Sequence, residues 1–408
     1  MKKVKKVVAL SMGVLMATSL LAGCSTDAAS LFNGFEKSAT ITSEETQTDI
    51  SLNVTGTNES AQEKQILDKE LPLINSSKIS VTTKINKNAA KKYLKSEEDF
   101  NLQLGETPIS TTVWANEDLT GDKPSINEIF KVPQLVSAQL PTKFQGKEYA
   151  VINTNDIKTD PNSPQIDYKK LLTFSQDFQP KLLAFISKYA TQFNPTSTYI
   201  TSVGASSYSQ NGVNLKNNIY ELKLTDKSLK DLIHYSLTNL STNTDAMNLA
   251  KDYVSGMASI YGITDTTQLN AITNNLPKQL LTLNTKLVAL DNLKILGDNG
   301  IDIRYTVNSD GYISNEKGTA QFVVDSPSII KLVAANKGTT NANDPTGIYT
   351  INLGFNTDIT NINGDVAITF PTLNSTNSFN YTDLINSAPS ATNSAVKQSI
   401  INQLIVKK

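Results

Sequence analysis

Few side chains in this 408-residue chain have the type and spacing to do chemistry, and context weighs against each. The single histidine, His234, lies in Leu229-Lys230-Asp231-Leu232-Ile233-His234-Tyr235. On a helix with Leu229, Leu232, Ile233, Leu237 and Leu240 as its apolar face, His234 falls beside Lys230 and Thr238. That spacing predicts a solvated surface histidine. Two Ser-x-x-Lys matches occur, Ser314–Lys317 and Ser394–Lys397. In penicillin-recognising enzymes this spacing sets the amine one helical turn from the hydroxyl it activates. Ser314 follows a hairpin turn, and neither Ser-Asp-Asn nor Lys-Thr-Gly follows Ser394, so both are chance matches. The run Asp358 to Asp365 superficially suggests a calcium loop. Registered on Gly364, its first ligand would be Ile359 and its twelfth Phe370, so the required carboxylates are absent and a β-turn is expected. Carboxylate pairs for sugar hydrolysis can be drawn in many ways from 38 acidic residues. Such sites usually also need aromatic platforms, and the only tryptophan, Trp114, sits in an alternating strand with Thr111 and Val113 as a core or rim residue. No phosphate loop, dinucleotide fingerprint or Cys-x-x-Cys is present.

Composition narrows the classes further. One Cys excludes an internal disulfide framework and a thiolate zinc site, and one His excludes multi-histidine metal sites. With 37 basic and 38 acidic residues the net charge is −1, which gives no electrostatic footing for nucleic acid. No catalytic, cofactor-binding or metal-binding residue is expected, and the chain reads as non-enzymatic.

The N-terminus carries the strongest signal. Lys2, Lys3, Lys5 and Lys6 form a positive region, an apolar stretch runs from Val7 to Leu21, and Leu21-Ala22-Gly23-Cys24 closes it before Ser25-Thr26-Asp27. A hydrophobic run this short, with these flanks, reads as a secretory signal over 1–23 rather than a spanning helix. Those last four residues resemble the lipobox of bacterial lipoproteins. The resemblance implies that the Cys24 thiol carries a diacylglycerol, that the signal is cut before it, and that the protein stays at the membrane. Two acyl chains give the double signal that stable anchoring needs. Cleavage removes four lysines and leaves 33 basic against 38 acidic residues, net −5, so the body is expected to be tethered rather than laid on an anionic surface. Asn occurs 41 times and Arg304 is the only arginine, a usage pointing to an AT-rich, Gram-positive source. The localisation expected is the extracytoplasmic face of the cell membrane.

Behind the anchor, 24–30 reads as a polar lipidated tether, and a body follows from 31. Period-two alternation marks strands at Ile50/Leu52/Val54, Ile79/Val81/Ile85, Phe100/Leu102/Leu104 and Ile109/Thr111/Val113. The polar stretch Gly56 to Asp68 reads as an exposed connection or marginal helix. A helical pattern over Ser125 to Leu140 breaks at Pro133, and a strand follows at Tyr149 to Ile152. The middle is helical. Leu171, Phe174, Phe178, Leu182, Phe185, Tyr189 and Phe193 form one stripe; Leu269, Ile272, Leu276, Leu280, Leu283, Leu287 and Leu290 form another. These stripes could line a ligand cavity or cover a sheet, and covering a sheet is the simpler reading. Between them lie strands at Thr198–Val203 and Asn218–Leu224, a helix capped by Thr225, and a helix from Asp245 to Tyr261. Strands return at Ile301–Val307, after the Asp310-Gly311 turn at Tyr312–Val324, at Ile330/Leu332, at Tyr349–Phe355 and at Val366/Ile368/Phe370. Val396, Ile400, Leu404 and Ile405 suit a final helix.

The order strands, helices, strands predicts an α+β fold, a curved antiparallel sheet with helices packed on one face. The body is expected over 31–374, with sublobes at about 31–224 and 225–374, and 375–408 as a C-terminal segment with a short helix. Element order and the lipobox together weakly resemble half-barrel lipid-carrier (LolA-like) lipoproteins, with no residue motif that carries binding residues over and with a longer helical middle. The resemblance implies a lipid or other small hydrophobic ligand. The alternative is a cell-surface interaction protein that binds wall polymer or a protein partner. A hydrolase is the third class, disfavoured by the missing histidine and motifs.

Overall fold

A computed structural model describes residues 26–88, 90, 92–120, 125–153, 168–192, 195, 197–210, 213–263, 266–337 and 344–387. The signal segment, Cys24, Ser394–Lys397, the final helix from Val396 and nearly all of the 153–164 loop lie outside these residues. In chain order the elements are α1 (Thr26–Ser38), β1 (Ser43–Thr57), α2 (Ala61–Asn75), β2 (Lys78–Lys87), β3 (Tyr93–Leu104), β4 (Thr107–Asp118), β5 (Ser125–Lys131), α3 (Gln134–Ser137), β6 (Tyr149–Asn153) and α4 (Tyr168–Gln192). They continue with β7 (Ile200–Gln210), β8 (Val213–Leu224), α5 (Asp226–Thr242), α6 (Thr244–Ile260), α7 (Thr266–Leu287), β9 (Leu296–Val307), β10 (Ile313–Asp325), α8 (Ser326–Lys337), β11 (Ile348–Thr360), β12 (Ser378–Asn380) and α9 (Tyr381–Ser387).

The fold is α+β. Twelve strands form one open sheet in the order β12-β6-β5-β4-β3-β2-β1-β11-β10-β9-β8-β7, antiparallel in its described pairings except for the parallel pair β12–β6. The chain divides into two interleaved units: 1–41, 48–78 and 164–359 against 42–47, 79–163 and 360–408. This division does not fall at Leu224, where the sublobe boundary was expected.

In the first unit, two layers of helix cover one face of the strands. Tyr220, Tyr305 and Val307 take the stripe Ala28, Leu31 and Phe35 of α1, with Phe35 edge-on to Tyr305 at 5.2 Å. The tether reading of 24–30 is therefore corrected: Thr26–Ser30 begin a helix whose Ala28 is buried. Helices α4 to α7 build the largest core, from Phe178, Phe185, Tyr189, Leu232, Leu237, Leu240, Ala250, Leu276 and Leu280. Most of the described residues of both expected stripes pack here, Phe178, Phe185 and Tyr189 from one and Leu276 and Leu280 from the other being buried, while Leu171 stays exposed and Phe193 lies outside the described residues. Pro180 and Pro277 sit inside α4 and α7 without ending them. Thr225 caps α5 as expected, its hydroxyl accepting from Ser228 N at 3.2 Å. The opposite face of the same strands is polar, with Arg304 paired to Glu221 at 2.8 Å and Lys223 to Asp302 at 3.1 Å.

The second unit has a small core of Phe144, Ala150 and Phe379, with Phe130 and Leu384 packed on it. Three expected elements are corrected. Ser125–Lys131 is the strand β5, not a helix, and only the four-residue α3 follows Pro133. Ile330 and Leu332 lie in the helix α8 rather than a strand. Val366 to Phe370 is extended chain outside any strand.

Candidate functional site

Within the first unit, the face that carries the helices is only partly covered. Antiparallel register sets Ala320 opposite Leu353, Phe322 opposite Ile351 and Val324 opposite Tyr349. A hydroxyl contact joins Thr48 to Thr357 at 2.9 Å, and a side chain at Gly56 would press on the Tyr349 ring at 3.2 Å. These two contacts set Ile50, Leu52 and Val54 of β1 on the same face as Phe355, Leu353 and Ile351. All of these residues are half-buried, and none belongs to a buried core. This half-buried apolar face is the candidate binding surface of the first unit.

Helix α2 borders this face. Its Glu63, Leu67, Leu71 and Ile74 form a stripe of half-exposed positions, while Ile66 and Leu73 are exposed on its other sides. The helix is held at both ends by polar contacts. At its start a Ser60–Glu63 capping box forms. The same Glu63 carboxylate accepts from Tyr349 OH at 2.8 Å, from the Thr346 hydroxyl and amide at 3.2 Å each, and from Gly347 N at 3.3 Å. Hydrogen bonds from the Ser60 amide, then from Tyr349, hold Glu63 well below the usual carboxylate range. Burial, then the bond to Glu63, pushes the Tyr349 hydroxyl up to about 12, so it stays a neutral donor. At the other end Asn75 accepts from Val54 N at 2.7 Å and donates to Val54 O at 2.9 Å, standing in for a neighbouring strand. The expectation of a marginal helix within Gly56–Asp68 thus resolves as α2, which starts later and runs further.

One charged strand residue of the first unit shares the apolar face. Glu316 lies opposite Tyr305 on β9 and Thr357 on β11. Burial raises its carboxyl, and no hydrogen bond or cation offsets that rise among the described residues. Periodicity alone hid this residue, because the Gly311 turn and the irregular pairing near Ile313 decide which face position 316 takes.

The residues singled out for chemistry fall elsewhere. His234 is not a solvated surface group: its side chain is 26% exposed, Nδ1 meets Asn284 Oδ1, and Nε2 lies 2.9 Å from Asp291 Oδ1. Ser314 and Lys317 stand on the strand β10, where Ser314 donates to Thr306 O at 3.4 Å, so no Ser–Lys helical pair exists. The Asp358–Asp365 run turns through Asn361 and Asn363, both at positive φ, with Gly364 N bonded to Asn361 O at 2.9 Å. Trp114 is half-buried in the second unit, its ring N–H donating to Glu97 Oε2 at 3.1 Å, and Lys84 meets Glu97 Oε1 at 2.8 Å. Burial would raise Glu97, but the bonds from Lys84 and Trp114 outweigh it and hold the carboxyl low. This pairing satisfies Trp114 internally. Among the described residues no cluster of three or more His, Cys, Asp or Glu could hold a metal, and no helix is long and apolar enough to cross a membrane. No protein-family model and no curated protein matches the chain.

Proposed function

We propose that this is a membrane-anchored extracytoplasmic lipoprotein, attached through a diacylglyceryl group on Cys24, that binds a small hydrophobic ligand without catalysing a reaction. The sequence Leu21-Ala22-Gly23-Cys24 behind a basic, apolar leader supports the anchor. The observation that carries the binding half is the half-buried apolar face of β1, β11 and β10, bordered by α2. The central residues of the helical stripes, the other candidate lining, are taken up in packing α4 to α7.

Native mass spectrometry of the full chain carrying Cys24→Ala, followed by organic extraction, tests this reading. The body must keep Thr26–Ser30, because Ala28 is part of a core. A hydrophobe retained on the folded chain is the expected result. A ligand-free mass, with no rise in melting temperature on adding hydrophobes, would sink the binding half. Cys24→Ala is expected to release the protein from the membrane fraction while leaving its fold intact; a variant still bound to membrane would remove the anchor.

A second reading, a surface interaction protein for wall polymer or a protein partner, draws on the opposite face of the same strands. There Gln321 reaches Asn352 at 2.8 Å, and Asn315 bonds both Asn356 and Asp358, at 3.0 and 2.7 Å. A half-exposed amide-rich sheet face suits a hydroxyl-rich polymer. Pull-down on cell-wall material by ligand-free protein separates this reading from the first.

A further inference from the structure

The strand charge that shares the apolar face in the first unit is acidic, which selects among hydrophobic ligands. In the first unit's paired stretches (48–57 of β1, 301–307 of β9, β10, and 348–359 of β11) the other charged residues, Asp49, Asp302, Arg304, Lys317, Asp325 and Asp358, fall on the opposite face by register and alternation, while Glu44, further back on β1, alternates onto the apolar side within reach of Lys87. Within those stretches Glu316 alone points with the apolar rows, and Glu63 stands at their far end, already saturated by its donors. Neither the chain's one arginine nor any lysine of these strands can meet an anionic head there.

Resting on the binding reading above, we propose that the face takes an amphiphile with a cationic head, a protonated long-chain amine or a quaternary ammonium, seated against Glu316 with its chain along β11 toward Tyr349. An ionised carboxylate that loses water on an apolar surface without a partner is costly, and an incoming cation relieves that cost. One neighbour suits the same head: Phe355 lies diagonally across β11 from Glu316 and is half-buried, so its ring can meet a cation beside the carboxylate, while Tyr305, across β9, is taken up by Phe35 of α1. Burial, reinforced by the nearby Glu316 charge, pushes the Tyr305 hydroxyl up to about 12, so this ring adds no competing anion. From Phe355 to Tyr349 the row extends about 20 Å, enough for a long alkyl chain. An anionic head would meet Glu316 at one end and Glu63 at the other.

Calorimetric titration of the full chain carrying Cys24→Ala with dodecyltrimethylammonium, dodecanol and dodecanoate, all kept monomeric, tests the inference. The ammonium is expected to bind about tenfold or more tighter than dodecanoate. Glu316→Gln should bring the two within about threefold while leaving dodecanol unchanged, and Glu316→Asp should keep the preference. Circular dichroism of each variant guards against misfolding. Equal binding of the two heads, a preference for dodecanoate, or a preference that survives Glu316→Gln would overturn the cationic head while leaving hydrophobe binding intact. Failure of all three ligands to bind would remove the binding reading itself, and a stable dimer burying the face would replace the ligand with a second copy.

Discussion

The helical layer and the three-strand face lie in the same unit and are built from similarly apolar stripes, yet they end in different states. In the layer, Leu232, Leu237, Leu240, Leu276 and Leu280 are at most 1% exposed and touch one another across α5 and α7. On the face, Ile50, Leu52, Ile351, Leu353 and Phe355 each keep part of their surface in water. The difference follows from partners. Each helix of the layer finds apolar stripes on its neighbours, whereas the face meets α2, whose stripe has only three apolar residues and begins with a glutamate. Closed packing is expected to supply stability, and half-closed packing to supply a place for something else. Substitutions that separate these two roles test the comparison.

The largest effect is expected in the layer. Leu237→Ala removes a side chain with no exposed surface and should cost about 2–5 kcal/mol, because the surrounding helices can only partly collapse. Chemical denaturation of the variant measures it. A loss below about 1 kcal/mol would mean the layer is looser than its burial implies.

Next comes the clasp that ties α5 to the start of β9. Asp226 accepts from Ile295 N and Leu296 N at 2.8 Å each and pairs with Lys230 at 2.7 Å. Asp226→Ala leaves two amides and a mostly buried ammonium short of a partner, a cost of about 2 kcal/mol. Burial would raise this carboxyl, but Lys230 and the two amides hold it low. Its contribution is therefore complete above about pH 4, the unfolded value, and is lost as the pH falls through the lower folded value. Acid unfolding of wild type and variant should converge in that range. Parallel curves down to the lowest pH would remove Asp226 from the clasp.

On the face the order of effects reverses. Leu353→Ala should change stability by only about 1 kcal/mol, since the side chain is already partly wet. The same variant should lose most hydrophobe binding, while Leu237→Ala, measured well below its melting temperature, keeps it. A Leu353→Ala chain as unstable as Leu237→Ala would show that the face is ordinary core and would end the comparison.

How much of this was legible in the sequence depends on which contact decides each element. The long stripes of α4 and α7 and the Thr225 cap are local signals, and the structure keeps them. β5 was misread because Ile126, Ile129 and Phe130 imitate helical spacing. In the sheet Ile129 is 3% exposed on one face while Phe130 packs toward Phe144 and Phe379 on the other, so the strand is apolar on both sides. α8 announces itself by Ser326-Pro327, a helix-start signal that outweighs the two-residue alternation at Ile330 and Leu332. Asp325 completes that start by accepting from Ser328 N at 3.0 Å. Val366 alternates because one side of extended chain is buried, and that happens without a partner strand. The candidate face was invisible for a different reason. It is assembled from β1 and β11, which are about 300 residues apart in sequence, and no local pattern reports that pairing.

The smallest effect belongs to His234, whose hydrogen-bond partners favour the charged ring. Thr238 Oγ1 donates to His234 O at 2.9 Å, so it must accept from Asn284 Nδ2 at 3.0 Å. That orients the Asn284 amide, whose oxygen then faces His234 Nδ1 and requires a proton there. Nε2 faces the Asp291 carboxylate, an acceptor only, and requires a second proton. With this amide orientation both nitrogens donate, the arrangement of an imidazolium, and the ring joins α5 to α7 and to the turn beyond it. The bond to Asp291 raises the His234 value, burial opposes that rise, and Asn284 and the nearby Asp231 add to it, while Lys230 is engaged with Asp226 and the Asp291 and Leu293 carbonyls. A raised folded value means the contribution is fully present below the unfolded value, about pH 6.5, and is lost as the pH climbs through the folded one. With one histidine in the chain, its ring resonances can be titrated without assignment. They should report a value above 6.5, and wild-type stability should decline across that window while His234→Asn stays flat. A titration at or below the ordinary value would separate His234 from Asp291.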